Sequence, residues 1–296
     1  MTISNRSLAH RPPGAGNVRA GVDQAAGLRS LLGRRTLRLL PLFAGRDRRA
    51  QGACAAHLAR TLAQSGLSVV LLDASGDALA ALGIAPRNDL MRLIEGEQEF
   101  GDVAVQAGPK LRCISAIEGL PALIQAAAAT EDFFEGFMRQ DEPAELLVLN
   151  LAAMPDATGR IWSPMQGQAT ELLMLMAPGE QALTATYAVI KQMQAAPGTA
   201  HTGHAPAFRV LINGASGERE ARAACRLLAD TARRFLGAAV TYAGNLPRSN
   251  AGAALGTVPG VPHADAARAI ARLAADVPGW RLAECALDES AYTQSH

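Results

Sequence analysis

Lysine is almost missing from this chain. Of 296 residues only Lys110 and Lys191 are lysines. Neither follows a glycine-rich loop, so no Gly-Lys-Ser/Thr phosphate motif occurs anywhere. The other basic residues are arginines, a bias that a GC-rich genome produces. Aromatic residues make up 4%, poor material for stacking single-stranded bases. The net charge of +1 creates no global field toward nucleic acid or acidic lipid. No helix-turn-helix or basic stripe stands out, so nucleic-acid binding is not expected. The four cysteines, Cys54, Cys113, Cys225 and Cys285, form no Cys-x-x-Cys pair and are expected as reduced, buried thiols. No metal site is expected: His201 and His204 share a Pro/Gly-containing loop without a nearby Cys or acidic partner. The longest apolar runs, such as Glu171–Ala177, are of strand length and far short of a membrane span. Met1–Leu8 has no signal-peptide form. A cytoplasmic, soluble protein is expected.

What is present is a core. Apolar residues make up 49% of the chain and charged residues 19%, and the length suffices for one large α/β domain or two small ones. Residues 1–20 lack periodicity and read as a flexible tail. Asp23–Leu32 reads as a short helix, with Ala25, Leu28, Leu31 and Leu32 on one face. Strands are expected at 37–44, 68–73, 111–115, 145–151, 171–177, 207–213 and 239–244. Helices are expected at 53–64, 87–95, 117–128, 130–139, 181–194, 217–235 and 264–275. Runs such as Leu146–Leu149 do not alternate with polar residues, which suits strands buried on both faces of a parallel sheet. The expected fold is a doubly wound, mostly parallel α/β sheet with helices on both faces, in a single domain over residues 36–277. Pro41 disagrees with its strand and is expected to mark a bulge or local displacement. Residues 278–296 read as a tail, with a short amphipathic helix near Trp280–Leu287 and at most weak membrane association.

The segment Leu39–Asp73 has the layout of a phosphate-binding unit: strand, loop Gly45–Gly52, helix, second strand. In nucleotide-hydrolysing proteins of this layout, loop N–H groups wrap the phosphates. A lysine reaches the outer phosphates and a hydroxyl holds magnesium. Here the loop reads Gly45-Arg-Asp-Arg-Arg-Ala-Gln-Gly52, with neither lysine nor hydroxyl.

With that unit in place, the chain resembles the MinD/ParA-type deviant P-loop ATPases, and more narrowly the FlhG/FleN flagellar-number regulators among them. Asp23-Gln-Ala-Ala-Gly-Leu-Arg29 is similar to their N-terminal Asp-Gln-Ala-x-x-Leu-Arg motif. Leu58–Asp73, Leu82–Arg87, Leu93–Glu97, Phe208–Asn213 and Gly244–Arg248 are similar to later segments. The resemblance covers roughly residues 22–260.

The resemblance implies an ATPase fold, yet its nucleotide residues are mostly replaced. The family's Lys-Gly-Gly-Val-Gly-Lys-Thr falls on Arg46–Gly52. Arg46 then stands for the first lysine, Gln51 for the phosphate-binding lysine and Gly52 for the magnesium hydroxyl. Asp73 keeps the family's first acidic residue after the second strand, and the next becomes Ser75. Asn150 replaces the metal-side aspartate. Asn213 keeps the position that reads adenine. The residual nucleotide-binding set is therefore Arg46, Gln51, Gly52, Asp73, Asn150 and Asn213, with no catalytic residue and no metal. ATP and Mg2+ are the family's cofactors, and none is expected here. ATP hydrolysis is expected to be lost.

The resemblance also implies action through partners. Residues 21–35 would be a partner-binding helix in which Asp23, Gln24, Ala25, Leu28 and Arg29 meet a signal-recognition-type flagellar placement GTPase. The core would contact a flagellar transcriptional activator or basal-body protein. A monomer is expected. The competing expectation is an active MinD/ParA-type ATPase using Arg46 or Arg49 in place of lysine.

Overall fold

The computed structural model describes residues 34–125, 130–151, 171–195, 206–247 and 263–288. The chain divides into two compact units. One is Thr36–Ala286. The other comprises Met1–Arg35 and Leu287–His296, nearly all of it outside the described residues.

The large unit is built on a nine-stranded sheet. Its strands are β1 Arg34–Ala44, β2 Val69–Asp73, β3 Val105–Gly108, β4 Leu111–Ser115, β5 Leu146–Asn150, β6 Glu171–Met176, β7 Ala207–Asn213, β8 Val240–Leu246 and β9 Ala283–Asp288. The order is β3-β4-β2-β5-β1-β6-β7-β8, and β9 pairs with β1 beside this path. The pairs β1–β5, β1–β6, β2–β4, β2–β5, β6–β7 and β7–β8 are parallel. β3 is antiparallel to β4. Every residue of β2, β5 and β6 is buried, as the unbroken apolar runs require.

The helices are α1 Arg48–Gln64, α2 Asp77–Leu82, α3 Leu90–Ile94, α4 Phe100–Val103, α5 Gly119–Gln125, α6 Thr130–Met138, α7 Glu180–Ala195, α8 Glu218–Leu236 and α9 Ala264–Asp276. On one face of the sheet, α1, α2 and α9 pack over Leu40, Leu42, Leu71, Val148, Leu175 and Leu211 in one core cluster. Helices α7 and α8 contribute nothing to that cluster and pack on β6, β7 and β8. Burying both faces is the dominant stabilising term, at about 25 cal/mol per Å² of apolar surface.

Four expectations need correction. Pro41 causes no bulge: its register with Leu149 continues unbroken from Arg38 to Leu42. The Arg38 N–H donates to Glu145 O, and Leu42 O accepts from Leu151 N–H, so the even-numbered residues face β5. The donor that Pro41 lacks therefore points to the other side, where pairing with β6 begins only at Leu42. Second, α1 begins at Arg48, not at residue 53. Third, the stretch expected as a C-terminal helix is a 3-10 turn, Val277–Gly279, followed by β9. Trp280, Leu282 and Ala283 are buried there, and the compact unit continues past residue 277 to Ala286. Fourth, the helix expected at 87–95 shortens to α3, and the one expected at 117–128 begins at Gly119, its expected end lying outside the described residues. The helix expected over 23–32 and the loop containing His201 and His204 lie outside the described residues.

Candidate functional site

The loop expected over Gly45–Gly52 is reduced to Gly45, Arg46 and Asp47, because α1 has absorbed the rest. A phosphate loop keeps glycines that take left-handed angles. Here Arg48 and Ala50 carry side chains that favour the right-handed helix, and Asp47 is a residue suited to cap it. Asp47 fixes the start: its carboxylate accepts the Ala50 N–H at 3.0 Å, and its carbonyl accepts the Gln51 N–H at 3.0 Å. A negative side chain thus occupies the positive end of the helix, the position suited to a phosphate. Gly45 is required by close packing, since a Cβ there would lie 2.8 Å from Thr186 N on α7.

As a helical residue, Gln51 turns into the protein. It is 2% exposed, and its Nε2 donates to Leu42 O at 2.9 Å, Asn150 Oδ1 at 2.8 Å and Leu151 O at 2.8 Å. Two hydrogens are shared among three oxygens. Asn150, fully buried, passes the connection on. Its Nδ2 donates to Asp73 Oδ1 at 2.7 Å and Ser75 Oγ at 3.0 Å. Asp73 also accepts the Ser75 N–H and hydroxyl at Oδ1 and the Leu79 N–H at Oδ2. Ser75 Oγ accepts the Asp77 N–H at 3.2 Å, which ties the row to the start of α2. Strand register builds this arrangement, placing Asp73 opposite Asn150 on β5 and Ser115 on β4. Ser115 in turn donates to Asp89, which also accepts the N–H groups of Met91, Ile117 and Gly119. Both carboxylates are committed to donors within the fold. Cys113, beside Asp73, has its thiol pushed up to about 12 by burial and, second, by the Asp73 charge.

Gly52 stands where the family places a hydroxyl, and no side chain fits there. A Cβ would lie 2.5 Å from Asp77 Cβ and 2.7 Å from Ala78 N, because α2 packs directly on α1. Magnesium prefers oxygen ligands in near-octahedral order. Gly52 offers none, Asn150 is neutral and already donating, and Asp73 has its oxygens engaged. These three side chains do not fit the ion in a hydrolytic role.

The remaining positions are not brought into this row. Arg46 is exposed and donates to Gln181 Oε1 on α7 at 3.0 Å. Asn213 lies at the end of β7, half-buried, and its Oδ1 is buried without a hydrogen-bond partner among the described residues. An orphan acceptor of that kind fits the amino group of a purine base. Asp23, Gln24, Ala25, Leu28 and Arg29 lie outside the described residues. Sequence reasoning missed two participants. These are Asp47, which caps α1, and Ser75, which links Asn150 to α2. An Asp before a run of helix formers was the available signal for the first.

A doubly wound parallel sheet with this strand–loop–helix at its centre defines the MinD/ParA-type P-loop NTPase fold. At 16% identity and a TM-score of 0.56, the chain matches the septum site-determining protein MinD of Pyrococcus horikoshii, covering 81% of this chain and 96% of that one. At 15% identity and a TM-score of 0.59 it matches cobyrinic acid a,c-diamide synthase of Mycobacterium smegmatis, covering 83% and 98%. In sequence it is similar to the antiactivator FleN of Pseudomonas aeruginosa, 28% identical over 195 residues. That match takes in 64% of this chain and 66% of the relative, just under two-thirds of the relative's length. No family model matches.

Both solved structures carry nucleotide and magnesium, Mg-ADP in one and an ATP analogue with magnesium in the other. They correct the expectation that no cofactor goes with this chain. The fold is one in which those proteins hold a nucleotide and Mg2+. No helix among the described residues is long and apolar enough to cross a membrane.

Proposed function

We propose that this protein is a regulator of flagellar assembly that works by contact with other proteins and has lost ATP hydrolysis. The observation carrying the loss is the row Gln51–Asn150–Asp73–Ser75, in which every group at the hydrolytic positions is bonded to the protein itself. Hydrolysis needs a positioned water and charge stabilisation of the transferring phosphoryl group. This row offers neither a cation nor a free carboxylate. The nucleotide capacity of the fold is retained at the base end, through the orphan acceptor of Asn213.

The flagellar part of the reading rests on the similarity to an antiactivator and on the Asp23–Arg29 motif. In this reading a flagellar transcriptional activator or basal-body protein is the partner of the core. Residues 21–35 are assigned to a signal-recognition-type flagellar placement GTPase. The protein acts as a monomer in the cytoplasm. Deleting the gene and counting flagella per cell by electron microscopy tests this. A changed number or position, restored by the intact gene, is expected; an unaltered count and placement overturns the flagellar reading.

A second reading, an ATPase with an atypical loop, is favoured by the Mg-nucleotide in proteins of the same fold. In that reading Arg46 or Arg49 supplies the missing cation, and phosphate release separates the two.

A further inference from the structure

The polar row is continuous from the ends of two strands to the start of a helix. Leu42 O on β1 and Leu151 O after β5 both accept from Gln51 on α1. Gln51 donates to Asn150, Asn150 to Asp73 and Ser75, and Ser75 accepts the first N–H of α2. Asp73 Oδ2 takes the Leu79 N–H two residues later. Gln51, Asn150 and Asp73 are each at most 2% exposed, so water cannot replace a broken link, and each break leaves a buried polar group unpaired. At Gly52 the backbones of α1 and α2 approach so closely that a Cβ would lie 2.7 Å from Ala78 N.

A nucleotide moves a protein only by binding one arrangement better than another. To reverse a strongly biased two-state equilibrium, that preference must reach about 10⁴-fold. Here the second arrangement would need several buried hydrogen bonds broken together, and the groups that would reward it, a loop lysine and a magnesium hydroxyl, are Gln51 and Gly52.

We propose that the Gln51–Asn150–Asp73–Ser75 chain is a lock that holds α1, α2 and the ends of β1, β2 and β5 in one arrangement whether nucleotide is bound or absent. Building on the reading of the protein as a partner-binding regulator, the lock makes those contacts constitutive, set by the amount of protein rather than by its nucleotide state. Gln51 is a positioning residue in this device, acting through Asn150, and Ser75 is the joint that transmits it to α2.

Hydrogen–deuterium exchange of the full chain, with and without ATP and magnesium, tests the lock. In the unaltered protein, exchange over residues 73–82 is expected to be the same in both conditions. Ser75→Ala removes the joint at a half-buried position and is expected to speed exchange at the Asp77–Leu79 amides at least about tenfold, the worth of about one buried hydrogen bond. Gln51→Ala is expected to extend the effect to residues 146–151. Slower exchange in α2 on adding ATP and magnesium to the unaltered protein would overturn the lock. So would a Ser75→Ala variant whose α2 exchanges at the original rate. Neither result touches the flagellar count, which fails or stands separately.

Discussion

Gly52 carries the clearest residue-scale consequence. Reinstating a hydroxyl there does not rebuild a metal position, because the Cβ alone would overlap Asp77 and the backbone of Ala78. Gly52→Ser is expected to destabilise the fold by about 1–3 kcal/mol, the usual cost of overpacking a tight contact. Urea unfolding measures it, and a variant as stable as the parent would show that α2 yields easily. At this scale the sequence was informative about which positions matter and much less about how they act. Gln51, Gly52, Asp73 and Asn150 were all marked, and the fold brings them together. Their use was hidden, because Gln51 and Asn150 are 99 residues apart and a hydrogen bond of that span leaves no local pattern. Asn213, marked by the same reasoning, sits apart from them with its own unmet acceptor.

At the scale of elements, α1 explains why the phosphate loop closed. Its first turn contains no acidic side chain, and Arg48 there opposes the helix dipole. Asp47 offsets this as the cap. Arg48→Glu is expected to raise stability by about 0.3–1 kcal/mol through the dipole, read as a higher urea midpoint, whereas a fall would mean that Arg48 has a structural partner. The long elements were legible because their apolar period is unambiguous: β2, β4, β5, β6 and β7 lie within a residue or so of expectation, as do α6, α7, α8 and α9. The short ones were not. Helices α2 and α4 have six and four residues, too few to show a period. Strand β3 is a four-residue edge strand with no buried position. β9 mixes Glu284 and Cys285 among its small residues and reads equally well as a brief helix.

For the whole molecule, unbroken apolar runs separated by helices were enough to foresee a parallel, doubly wound sheet. They did not foresee its order or the return of the chain after α9 to pair with β1, since nothing near Ala283 signals a partner about 240 residues earlier. The molecule that results has the MinD/ParA-type fold, and at the positions Gln51, Asn150 and Asp73 its side chains are hydrogen-bonded to one another and to the backbone. Phosphate release from ATP and magnesium by the purified full chain, beside an Asp73→Asn variant, tests the proposed loss of hydrolysis directly. The account predicts no release above the rate without protein, and the same for the variant. Steady turnover by the parent that disappears in Asp73→Asn would contradict it.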